Sequence, residues 1–193
     1  MKIVLTGQVK VTLALAVIAT ANLTMASIVK DSSASNCSTR LSGKFTESAP
    51  RDRFRFVNAS EPGWSVDKLS IALDTADGKL IFDTDDGGAG VEVFQPYRQE
   101  SGTATVASVE VPQDGQQSIT ITFDDFPAGA YYAFSIDIDD TLSASELGNI
   151  RVTGGELNGT TVMASFVSDT GERQQQQTVF NDQNMIDTIA GCS

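Results

Sequence analysis

Two runs of the chain crowd carboxylates closely enough to do chemistry together. Asp83, Asp85 and Asp86 stand in FDTDDGGAG, and Asp137, Asp139 and Asp140 in FSIDIDDT. Closely spaced carboxylates supply the hard oxygen donors that calcium takes, and glycines allow the chain to wrap tightly around an ion. The chain has no His at all, against 25 Asp and Glu. That absence excludes Ser-His-Asp and Cys-His catalysis and His-ligated transition metals, leaving carboxylate and hydroxyl chemistry.

The first run is not an EF-hand. Its fifth loop position is Gly87, and its twelfth is Phe94 where a bidentate Glu belongs. A solvated acidic turn is the competing account of Asp83, Asp85 and Asp86. In the second run, strand alternation puts Asp137 and Asp139 together on the face opposite Ile136 and Ile138, about 7 Å apart along the strand. They could share an ion if a neighbouring segment adds oxygens. Asp124 and Asp125 are the expected donors, provided the strands on either side of Phe126 to Ala130 form a hairpin. The competing account is an acidic strand edge that discourages aggregation. Paired carboxylates also serve glycosidases, which need them in an aromatic-lined groove. The chain has one Trp, Trp64, in a Pro-Gly turn where packing over the end of the fold is the expected role. No catalytic residue is assigned, and the expectation is a protein that is not an enzyme.

The elements that would position these residues read as strands almost throughout. Phe54 and Phe56 alternate with Arg53 and Arg55, and Leu69, Ile71 and Leu73 with Ser70, Ala72 and Asp74. Ile119, Ile121 and Phe123 repeat the pattern, as do Tyr132, Phe134, Ile136 and Ile138, then Val162, Ala164 and Phe166. A period of two is what a half-buried antiparallel strand requires, since successive side chains face opposite ways. Turn signals such as Asp77-Gly78, Asp114-Gly115, Gly154-Gly155 and Asn158-Gly159 separate the runs. The spacing predicts about ten strands in an all-β antiparallel sandwich of jelly-roll type. Helix is expected only at Ser143 to Leu147 and over Asn181 to Ala190. Gln174 to Gln177 falls inside a strand.

Residues 1–26 read as a signal peptide: Lys2 and Lys10, the apolar run Val11 to Ala19, then small-x-small cleavage patterns at Ala19-Thr20-Ala21 and Thr24-Met25-Ala26. The apolar run is short for a membrane span. The expectation is one domain over 27–193, secreted or periplasmic, with no transmembrane segment in the mature chain. In an oxidising compartment Cys37 and Cys192 would form a disulfide joining the two ends, worth about 4–5 kcal/mol in the chain-entropy account. Without Lys2 and Lys10 the chain carries 11 basic residues against 25 acidic, a net charge of −14. Such a surface repels nucleic acid and favours divalent cations or basic partners.

Three stretches carry a family resemblance: Arg51 to Asn58 (RDRFRFVN), Leu80 to Pro96 (LIFDTDDGGAGVEVFQP) and Phe134 to Thr141 (FSIDIDDT), the last followed by Ile150 to Leu157. They resemble small secreted bacterial proteins of the "aggregation factor core" type, similar to the core protein of sponge aggregation factor, a calcium-dependent extracellular adhesion proteoglycan. The resemblance implies an exported all-β interaction protein. Residues and resemblance together lead to a non-catalytic adhesion protein of the cell surface or extracellular matrix, calcium-stabilised at its Asp clusters. Its partner would be a cell-surface glycan, a protein or a second copy. The alternatives are a carbohydrate-binding module without calcium and a carboxylate-based glycoside hydrolase.

Overall fold

The period-two runs fold as strands, and the computed structural model describes residues 38–91, 93–142 and 149–187. Cys37 and Cys192, the segment read as a signal peptide and the turn expected at Ser143 to Leu147 lie outside those residues. The strands are β1 (Leu41–Thr46), β2 (Arg53–Asn58), β3 (Trp64–Ala72), β4 (Leu80–Asp83), β5 (Arg98–Gly102), β6 (Thr105–Glu110), β7 (Ser118–Asp125), β8 (Tyr131–Ser135), β9 (Asp137–Asp140), β10 (Thr161–Ser168), β11 (Arg173–Val179) and β12 (Met185–Asp187). One five-stranded sheet runs β12-β1-β2-β8-β5 and the other β11-β10-β3-β7-β6, while β4 and β9 form a separate two-stranded ribbon. All pairings are antiparallel.

The alternating residues become one core between the two large sheets. Phe45, Phe54, Phe56, Tyr132 and Phe134 come from the first sheet, and Leu69, Ile71, Ile119, Ile121, Val162 and Phe166 from the second; all are essentially fully buried. Phe54 stacks on Phe134 at 5.1 Å, and Phe123 meets Tyr132 edge-on at 5.1 Å across the sheets. Aromatic pairs at these separations add roughly 1 kcal/mol each beyond area burial. This is an all-β sandwich, as the spacing predicts. Trp64 opens β3 and is 8% exposed within the same core.

Three local expectations change. The stretch Tyr132 to Asp140 is buried on both faces rather than one; on the outer side Ser135 is met by Gln95 and by Glu100, which in turn holds Arg51 and Arg53. Over the described part of Asn181 to Ala190 there is no helix: Met185–Asp187 pairs with β1 as an edge strand. A single helical turn, α1 (Gly154–Leu157), forms where the Gly pair reads as a turn, and a capping box holds it. Thr153 Oγ1 accepts the Glu156 N–H at 3.2 Å, and the Glu156 carboxylate accepts the Thr153 N–H at 2.8 Å. Among the described residues no helix is long and apolar enough to cross a membrane.

Candidate metal centre

The ribbon assembles the site. Its register sets Asp83 directly opposite Asp137, and Ile81 opposite Asp139. Paired residues share a face, so Asp83, Asp137 and Asp139 project to the same side, while Phe82 and Ile138 point together into the core. The two acidic runs read separately in the sequence therefore converge on one point. Asp137 and Asp139 are 0% exposed and Asp83 is 3%.

One oxygen from each of these three carboxyls lies within 4.8 Å of the others. Calcium sits 2.3–2.6 Å from its oxygens, so a single ion can touch ligands up to about 5 Å apart. Both Asp137 oxygens lack a hydrogen-bond partner, as do Asp83 Oδ1 and Asp139 Oδ1. Buried carboxylate oxygens are costly unless paired, hydrogen-bonded or bound to metal. Among the described residues the ion pairs seen lie elsewhere: Arg51 and Arg53 pair with Glu100, Arg151 with Glu47 and Arg173 with Asp67.

The chain matches no protein-family model, and no curated protein matches it.

Burial, and then the neighbouring charges, lift these acids above the usual carboxylate range. Burial together with Asp52, Asp139 and Asp83 pushes Asp137 to about 8. Burial and the Asp139 charge push Asp83 to about 7. Asp139 also rises, through burial, although the Val91 N–H donates to its Oδ2 at 2.6 Å. Neutralising such a group requires a proton or a cation.

A loop closes over the triad. From Thr84 the chain runs through the glycines and returns at Gln95, whose N–H donates to the Asp83 carbonyl at 3.3 Å and whose carbonyl accepts the Asp137 N–H at 3.0 Å. Gly90 lies directly against the carboxylates; a Cβ there would overlap the Asp83 carboxyl and Asp139 Oδ2. Gly88 makes the same close approach to Asp114. The Asp114 carboxylate accepts the N–H groups of Thr84 at 2.8 Å, of Asp85 at 3.3 Å and of Ala89. Burial works against its charge, but these amides outweigh it and hold its pKa below the ordinary value.

The other expected ligands lie elsewhere. Asp140, 1% exposed, alternates to the opposite face, where its Oδ1 accepts the Leu142 N–H at 3.0 Å and the Asn149 amide at 3.3 Å. Asp85 and Asp86 are exposed on the loop, and Asp124 and Asp125 are exposed at the end of β7. The hairpin that would bring those last two to Asp137 does not form, because β7 and β8 belong to different sheets and β9 pairs with β4. The sequence reading missed two residues, Asp52 and Asp114. Asp52 is 0% exposed; its carboxylate accepts the Ser48 N–H at 2.9 Å and the Ile138 N–H at 3.3 Å. Burial lifts it to about 7. Its signal was present, since alternation carries the inward face of Phe56 and Phe54 back to Asp52. Asp114 had none beyond its place in an Asp-Gly turn.

Proposed function

We propose that this protein is a non-catalytic, exported binding module for adhesion, whose β4–β9 end is held by one calcium ion on Asp83, Asp137 and Asp139. One observation carries the reading: the carboxylate of Asp137 is fully buried with both oxygens unpartnered, beside two more unpartnered carboxylate oxygens. An all-oxygen donor set with no nitrogen or sulfur suits a hard cation, and the three carboxylates outnumber the ion's charge by one. The ion is buried beneath the Gly90 segment, so it acts by fixing the loop rather than by touching a partner. The resemblance to aggregation-factor-core proteins supports the adhesive role and the calcium dependence.

The test is a thermal melt of the protein in millimolar calcium and in EDTA, with sedimentation velocity alongside. A ligand at a hundredfold excess over its Kd stabilises by about 2.7 kcal/mol, or roughly 5–10 °C for a domain this size. Calcium should raise the melting temperature by that amount, and Asp139→Asn should abolish the response. A larger species in calcium would make self-association the mode of adhesion; a rise without one would direct the search to glycans or a protein partner. Equal melts in calcium and EDTA would end the metal reading.

A further inference from the structure

Acidic residues are concentrated in one stretch of the sequence. Between Leu80 and Ile150 the sequence holds thirteen Asp and Glu but a single basic residue, Arg98. That excess equals the formal net charge of the whole chain, −12. The loop over the metal centre lies in this stretch, and it exposes apolar side chains. Among the described residues six large hydrophobics are exposed, and Val91, Val93 and Phe94 of this loop are three of them, at 38–39%. A fourth, Val111 at 49%, lines a cleft of about 530 Å³ against the two ends of the same loop. Thr84, Asp85 and Pro96 form one wall of that cleft, and Val111, Pro112 and Asp114 the other. Glu110 is exposed next to Val111. Acidic groups and apolar surface therefore meet in a concave site with no basic residue in its lining.

We infer that this cleft and its loop dock a basic, apolar-flanked segment of a partner protein, with a Lys or Arg beside Asp85 and Asp114 and apolar neighbours against Val111 and Phe94. Charge complementarity selects the partner's sign, and the apolar contacts separate docking from general attraction to an acidic surface. The inference rests on the binding role proposed above, but not on the ion.

The probe is a labelled peptide of alternating Lys and Leu, with oligolysine of equal charge as control, followed by fluorescence anisotropy at low and high salt. The Lys-Leu peptide should bind saturably and about tenfold more tightly than oligolysine, a difference of about 1.4 kcal/mol. Val111→Lys and Phe94→Ser should each weaken it about tenfold, while Val179→Lys, exposed on β11, should leave it unchanged. All three variants should keep the wild-type melt and its calcium response. Equal binding of oligolysine, an equal loss in Val179→Lys, or indifference to Val111→Lys would overturn docking here. So would a Phe94-dependent association with neutral phosphatidylcholine vesicles, which would make the loop a lipid-inserting tip. If calcium fails to stabilise the protein while Val111→Lys still abolishes peptide binding, the metal centre falls and the docking surface stands.

Discussion

Glu100 and Asp137 are two shielded carboxylates treated in opposite ways. The Glu100 side chain, 8% exposed, takes Arg51 on Oε1 at 2.7 Å, Arg53 on Oε2 at 2.9 Å and the Ser135 hydroxyl at 2.9 Å. Hydrogen bonds from Arg51, Arg53 and Ser135 hold its pKa down to about 2. Asp137, two residues beyond Ser135, has no cation beside it and neither oxygen hydrogen-bonded, and burial and the neighbouring acids push it up to about 8 despite the nearby Ile138 N–H. One short segment serves both sites: Arg51 and Arg53 point outward to Glu100, while Asp52 between them points inward to the acidic cluster. The chain has guanidinium groups within reach of this region and spends none on Asp137. That one carboxylate is completed by protein groups and the next left bare supports the cation proposed at Asp137.

The largest effect should come from making Asp137 resemble a satisfied group. In EDTA at about pH 8, Asp137→Asn removes a buried charge from among three other acids, and the melting temperature should rise by roughly 5 °C. In calcium the same variant should melt below wild type, because the ligand is lost. This crossing of the order between EDTA and calcium is the signature; a variant less stable in both would indicate a packing role for Asp137.

Next in size is the pH response of the EDTA-treated protein. Asp83 and Asp52 are raised to about 7 and Asp137 to about 8 from the ordinary 3.8. A raised folded-state pKa contributes stability that is complete below the unfolded pKa and is lost as pH climbs through the folded one. Without calcium the melting temperature should therefore fall between about pH 5 and about pH 8.5, by several degrees. Calcium should reverse the fall, since it competes with those protons, and its stabilisation should grow with pH. A flat or rising profile in EDTA would mean the acids are solvated in solution.

Much of the sandwich was legible because its code is local. Ile119, Ile121 and Phe123, or Val162, Ala164 and Phe166, announce an inward face without knowledge of their neighbours. The candidate site was half legible for the same reason: FDTDDGG and DIDD each declare carboxylates. Their union was not, because it depends on β4 pairing with β9 across more than fifty residues, and no local period encodes a partner. The expected hairpin of β7 with β8 failed on that account, since strands adjacent in sequence can cross from one sheet of a sandwich to the other, as these do. Asp140 was misplaced by a different route. Alternation would have sent it away from Asp139, but proximity in sequence outweighed that.

The smallest expected effect tests the satisfied half of the comparison. Glu100→Gln keeps the shape but leaves Arg51 and Arg53, each about half exposed, without their carboxylate. Water can take over much of what the guanidiniums lose, so the cost should be about 0.5–1 kcal/mol, or roughly 1–4 °C. The diagnostic lies on the acid side. The lowered pKa of Glu100 contributes stability that is full above 4.5 and is lost as pH falls through about 2. Wild type should lose stability over that interval more steeply than Glu100→Gln, while above about pH 5 the two should run parallel, because the acids that titrate there are those around Asp137. Divergence above pH 5 would show that the two sites are coupled through Ser135 and Gln95, whose amide donates to the Ser135 hydroxyl at 2.8 Å and whose backbone joins Asp83 to Asp137. In that case the bare carboxylates and the satisfied one would form a single network, and calcium would be felt at Glu100.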